Sequence, residues 1–195
     1  MPNKIPKVAL LDNHDSFIHN IVHEVAMCRC EWRLFVRNQT TAKEILAYEP
    51  THIIFGPGPG APQDATVMMD LIQEAPPQLL MLGICLGHQA LGIHFGGTVG
   101  HAPAVCHGKP DTITHTGKYI FNKVPSPTQI GRYHSLHLHS LPDCLETLAT
   151  SSDGCIQAFA HKSLPVFGVQ FHPESILSRQ VGSIWEQFIS MSPPC

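Results

Sequence analysis

Leu79-Leu80-Met81-Leu82 runs straight into Gly83-Ile84-Cys85-Leu86-Gly87-His88-Gln89, and this junction limits the possible folds more than any other stretch. An apolar run, a turn holding two glycines, and then Ala90, Leu91 and Ile93 at helical spacing read as strand, sharp turn, helix. The layout is that of a nucleophile elbow, G-x-S-x-G, with cysteine in the serine position. Gly83 and Gly87 flank Cys85 because a strained turn has little room for Cβ atoms. Such a turn lifts the sulfur above the sheet edge and sets it near a helix N-terminus, whose N–H groups and dipole favour the nucleophilic thiolate. The same residues also fit a buried cysteine among packing glycines, since a free Cys is often a small core hydrophobe.

The chain upstream repeats the strand–helix alternation. Residues 7–12 form a short apolar run suited to a buried parallel strand. Asp15 or Ser16 can cap a helix that carries Phe17, Ile18, Ile21, Val22 and Val25 on one face. A second strand is expected over 32–36, a short helix over 42–48 ended by Pro50, and a third strand over 52–55. That strand enters the loop Gly56-Pro-Gly-Pro-Gly60, and a helix over 65–74 follows, closed by Pro76 and Pro77. This alternation predicts a parallel sheet with helices on both faces, whose sites form at the carboxyl ends of the strands. Beyond Gly96-Gly97 the pieces shorten: 112–114, 119–121, 128–133, 145–149, 156–160 and 166–171 all read as strands. They predict antiparallel strands added to the same sheet or packed beside it. A final helix over 178–190 would bury Ile184, Trp185, Phe188 and Ile189. With no divider in sight, residues 1–195 are expected to form a single α/β domain.

Composition excludes several functions. Charged residues are 14 % and the net charge is -3, so there is no basic footprint for nucleic acid. The apolar region over 79–95 is interrupted by His88, Gln89, His94 and glycines, which argues against a membrane span. No secretory signal is visible at the start, and seven cysteines without a C-x-x-C pair suggest reduced thiols and a cytoplasmic location. Among the fourteen histidines, His134, His137 and His139 invite a metal reading. In a strand, however, His134 faces away from the other two, so surface histidines are expected and no metal or other cofactor. Cys106, Cys144 and Cys155 sit in no elbow and read as core or surface thiols.

A thiol nucleophile needs a base and something to orient that base. Gln170-Phe-His172-Pro-Glu174-Ser, at the end of the last strand, offers both. His172 can shuttle protons near neutral pH, and Glu174 can hold its ring in one tautomer. Alone, this pair would pass for a surface His–Glu couple; beside the elbow, each segment supplies what the other lacks. An oxyanion hole would take one N–H from Leu86 and a second from the Gly56–Gly60 loop. That loop matches neither the P-loop nor the dinucleotide pattern.

With these residues in place, the sequence resembles the class I glutamine amidotransferases. Within them it is most similar to the small subunits of anthranilate synthase and aminodeoxychorismate synthase. The general features are Gly58-Pro59-Gly60, the Cys85 elbow through Gln89, and Phe171-His172-Pro173-Glu174. The narrower ones are Leu11-Asp-Asn-His-Asp-Ser-Phe17 with Asn20, His107-Gly-Lys109, Arg132-Tyr-His-Ser-Leu136 and His172 through Leu177. The resemblance implies that Cys85 attacks the side-chain amide of L-glutamine, forming a γ-glutamyl thioester and ammonia. His172 would serve as acid and base, Glu174 would orient it, and Gly58 and Leu86 would supply oxyanion N–H groups. Gly58, Pro59, Gly60, Gln89, Ser135 and Leu136 would line the glutamine site. The acceptor of ammonia it implies is a separate chorismate-using synthase large subunit. The Gly58 loop and the 107–109 segment are the candidate docking face for it. The rival readings are a γ-glutamyl hydrolase and a catalytically silent binding subunit.

Overall fold

In the computed structural model, residues 5–103 and 108–192 are described. Cys106 and His107 therefore lie outside the described residues. Strands β1 (Lys7–Asp12), β2 (Glu31–Val36), β3 (His52–Phe55), β4 (Leu80–Ile84) and β11 (Val166–Val169) pair in parallel in the order β2-β1-β3-β4-β11. The sheet then continues antiparallel through β10 (Ile156–His161), β9 (Leu145–Ser151), β6 (Lys109–His115) and β7 (Thr128–Arg132). A second, two-stranded sheet joins β5 (Thr98–His101) to β8 (Leu136–Ser140).

Alternation along the central strands divides the core in two. Val8 and Leu10 pack with the helix α1 (Ile18–Ala26) and the helix α5 (Ser183–Ile189) on one face. Ala9 and Leu11 point the other way, toward α2 (Ala42–Ala47), α3 (Thr66–Glu74) and α4 (Leu86–His94). A strand with period-2 geometry buries both its faces only if helices cover both, and β1, β3 and β4 are buried throughout or nearly so. Among the described residues, no helix is long and apolar enough to cross a membrane.

Three expectations need correction. The 166–171 segment is not one of the antiparallel additions: β11 pairs in parallel with β4, Val169 opposite Ile84. Its four residues are all buried, as suits an interior strand rather than an added one. The 119–121 segment is a 3-10 turn rather than a strand, because Gly117 (φ 74°) and Tyr119 (φ 51°) turn the chain through left-handed backbone. The last helix is broken: a 3-10 stretch over Ile176–Val181 bends at Ser178, and α5 starts only after Gly182. Its buried face is nevertheless Ile184, Trp185, Phe188 and Ile189. The β5–β8 pair escaped the sequence reading, since Thr98–His101 and Leu136–Ser140 carry glycine and histidine where a strand pattern needs β-branched residues.

In-register parallel pairing brings the carboxyl ends of β1, β3, β4 and β11 to one edge. The segments that leave them are Asn13–Phe17, Gly56–Gly60, Cys85 and Gln170–Glu174, so four pieces distant in sequence converge there.

Candidate active site

Cys85 sits between β4 and α4 with φ 51° and ψ -98°. A positive φ on a residue with a side chain costs about 1–3 kcal/mol and persists only where the surroundings enforce it. Here the Cys85 N–H donates to the Val169 carbonyl at 2.9 Å, and the Gln89 N–H to the Cys85 carbonyl at 3.1 Å. The flanking glycines allow the close packing: a Cβ on Gly83 would collide with the Gly87 backbone, and one on Gly87 with the Phe55 carbonyl. Leu86 is the first residue of α4, and a helix's first N–H groups have no partner within the helix.

His172 comes from the segment after β11 and is fastened by its N–H to the Gly131 carbonyl at 3.3 Å. Its Nδ1 lies 2.6 Å from Glu174 Oε1, and both side chains are buried. With Nδ1 so engaged, Nε2 is the nitrogen left for the Cys85 sulfur, and both line the same cleft. Burial disfavours the charged ring, but the hydrogen bonds and negative charge of Cys85 and Glu174 outweigh it, so the imidazole holds its proton well above the ordinary range. Phe17 and Tyr133 meet the ring edge-on, at centroid distances of 5.5 and 5.0 Å. The Tyr133 hydroxyl hydrogen-bonds Ser175 Oγ at 2.9 Å.

Cys85, His172, Gly58, Leu86 and Gln89 open on one cleft of about 480 Å³, a volume in the range of small-molecule sites. Pro59, Gly60, Ser135 and Leu136 line it too. Gly58 is pressed against the elbow: a Cβ there would lie 2.6 Å from the Asn13 carbonyl oxygen and 3.1 Å from Leu86 Cδ2. Asn13 is fully buried and donates through Nδ2 to the Gly56 carbonyl at 2.9 Å, which anchors the loop. Gln89 Nε2 donates to the Leu136 carbonyl and to Gln170 Oε1, each at 3.0 Å.

The histidine-rich stretch is engaged in hydrogen bonds and ring contacts. Among the described residues, no group of three or more His, Cys, Asp or Glu side chains gathers as metal ligands. His134 and His137 are buried, contrary to the surface expectation; His137 and His139 are in ring contact at 4.4 Å. His134 Nε2 accepts from Arg132 Nε at 3.2 Å, so Nδ1 carries the hydrogen and donates to the Leu136 carbonyl at 2.9 Å. Burial and the neighbouring guanidinium push its pKa down to about 4. Arg132 in turn holds Asp111 at 2.7 Å and Asp153 at 2.8 Å. Burial leads in pushing Cys30 and Cys155 up to about 11, and no described cysteine other than Cys85 lines this cleft.

The structure thus gathers every residue expected at the site. It adds Phe17, Tyr133 and Gln170, whose motifs are visible in the sequence but whose residue types announce no chemistry. His14, Asp15 and Ser16 also border the cleft. Asp15 does not cap α1: its Oδ1 accepts from the Phe17 N–H at 2.8 Å, within the loop, and Phe17 precedes the helix without a side-chain cap.

Comparison with known proteins shows the family and the fold. The family described as glutamine amidotransferase class-I matches residues 9–191. The chain is 42 % identical to "Anthranilate synthase component 2" of Azospirillum brasilense over 184 residues, covering 93 % of this chain and 94 % of that protein. It is 41 % identical to "Bifunctional protein TrpGD" of Thermotoga maritima over 191 residues, covering 96 % of this chain but spanning 32 % of that longer protein. A crystal structure of a glutamine amidotransferase from Thermotoga maritima superposes with a TM-score of 0.74 at 13 % identity, covering 97 % of this chain and 100 % of that one, and shares its fold.

Proposed function

Because the chain belongs to the class I glutamine amidotransferase family, we propose that it is the glutaminase subunit of an anthranilate-synthase-type complex, passing ammonia to a separate chorismate-using large subunit. One observation carries the reading: Cys85 and His172 line one cleft, Glu174 holds His172 Nδ1 at 2.6 Å, and Cys85 sits on a positive-φ turn at a helix N-terminus. The curated relatives support the pathway, since those named above are called anthranilate synthase component 2 or a bifunctional protein of which this chain spans about a third.

In this mechanism Cys85 Sγ attacks the Cδ of the glutamine side chain. The thiol proton rests on His172 Nε2, while Glu174 holds Nδ1 and steadies the imidazolium. The carbonyl oxygen turns negative between the Gly58 and Leu86 N–H groups, donors in place before charge develops. His172 then gives its proton to the amide nitrogen, which leaves as ammonia, and the γ-glutamyl thioester remains. His172 next takes a proton from water, whose oxygen attacks the thioester; glutamate departs and the thiol is restored. Gln89 uses its Nε2 on Leu136 and Gln170, so its Oε1 is the atom left to accept from the substrate's ammonium. Ser135 and Leu136 flank that end of the cleft, and Pro59 and Gly60 the wall of the Gly58 loop.

The test is Cys85→Ser, assayed with the synthase subunit for anthranilate formation from glutamine and, separately, from ammonia. Loss of the first with survival of the second is expected. Glutamine-driven synthesis that persists would remove Cys85 from the role of nucleophile.

A further inference from the structure

Gln170 is fully buried beside the nucleophile, and its hydrogen bonds are oriented from both ends of a chain of groups. The Leu136 carbonyl can only accept, so the Gln89 atom facing it must be the amide nitrogen. That nitrogen also donates to Gln170, so the Gln170 atom facing Gln89 is Oε1, at 3.0 Å. Gln170 Nε2 is thereby turned toward Cys85 Sγ, 3.6 Å away. At the far end Arg132, which can only donate, fixes the His134 ring so that its Nδ1–H also meets the Leu136 carbonyl. Gln89 Nε2 therefore donates both ways, outward to the Leu136 carbonyl and inward to Gln170, and Gln170 in turn has only its N–H groups to offer the sulfur.

We infer that Gln170 is a positioning residue, which turns an N–H donor onto the Cys85 thiolate and ties that donor to the Gln89 side chain in the glutamine cleft. This deepens the reading of Cys85 as the nucleophile and rests on it. A hydrogen bond gains strength when its acceptor is charged, so Gln170 favours the thiolate over the thiol. The titratable group against the sulfur is His172, backed by Glu174; Gln170 adds a donor that never titrates.

The experiment uses the full chain and follows carboxamidomethylation of Cys85 by iodoacetamide, read on the Cys85 peptide by mass spectrometry across a range of pH. Gln170→Met keeps the length and removes the donor. Near neutral pH it should alkylate about tenfold more slowly than wild type, and catch up at high pH where the thiolate forms unaided. With the synthase subunit present, kcat for glutamine should fall by a similar factor while KM stays within about twofold. Gln170→Glu guards against a folding failure: it keeps an acceptor for Gln89, places an anion by the sulfur, and should be slower still. Alkylation profiles of both variants that superpose on wild type overturn the inference while leaving the glutaminase reading intact. Conversely, slowed alkylation in a chain that never turns over glutamine sinks that reading and keeps the tether.

Discussion

Gly58→Ala tests the oxyanion arrangement at one methyl group. The added Cβ would lie 2.6 Å from both Asn13 Cβ and the Asn13 carbonyl oxygen, about 0.8 Å inside ordinary contact at 3.4 Å. Neither atom can retreat: Asn13 is fully buried at the end of β1, with its amide bound to Gly56. The loop must therefore lift away from the elbow by most of an ångström. Overpacking of this kind costs about 1–3 kcal/mol, against a gain of about 0.4–1 kcal/mol from a stiffer unfolded chain. The net loss of about 1–2 kcal/mol corresponds to a Tm lower by roughly 2–8 °C in a chain of this size. The catalytic loss should be out of proportion to the stability loss. Displacing one oxyanion donor by this much costs roughly a hundredfold in kcat. Thermal unfolding and glutamine-dependent turnover with the synthase subunit measure the two effects, with ammonia-dependent turnover as the control. Wild-type kcat in a folded Gly58→Ala variant would refute the placement of that N–H at the reacting carbonyl.

Glu174→Gln should lower glutamine turnover about 10²-fold or more, with ammonia-dependent synthesis intact. Because the Glu174 charge helps His172 keep its proton, the limb of the kcat profile that needs imidazolium should move to lower pH; an unmoved profile would exclude that role. For stability the sign follows the raised His172 value. Its contribution is complete below the ordinary imidazole range near 6.5 and fades as pH rises through the folded value, so the urea-midpoint deficit of His172→Gln should shrink at alkaline pH. Acid should act oppositely through His52, His88 and His134, which burial above all pushes down to about 4, 3 and 4. Between about pH 6.5 and 4 these three histidines together bind up to three more protons in the unfolded chain than in the folded one, so through them stability falls as pH falls, by up to about 4 kcal/mol per unit. In the lower part of that window, below about pH 5.5, His172 is protonated in both states and adds no slope. Urea midpoints at pH 7, 6 and 5 that stay level would contradict this.

Much of the chemistry was legible because it is local. An elbow needs Gly-x-Cys-x-Gly within five residues, and the base and orienting carboxylate proposed here, His172 and Glu174, are two apart; short-range sterics and hydrogen-bond reach enforce both spacings. Strands β1, β3 and β4 were equally plain, since burial on two faces requires unbroken apolar runs. The β5–β8 pair was not, because two short strands that mix glycine, histidine and serine with apolar residues have no pattern of their own.

Long-range placement belonged to the tertiary structure. Nothing in the sequence near residue 170 says that its amide meets one from residue 89, or that Phe17 and Tyr133 close on the His172 ring. The burial of His134 and the partners of Arg132 were equally hidden, since both are ordinary surface residue types. The amino-acid order determined which groups can do chemistry, because nucleophile, base and turn are defined by neighbours along the chain. Parallel pairing of β4 with β11 decided that the nucleophile and base proposed here meet, because only packing can bring residues 85 and 172 to one edge.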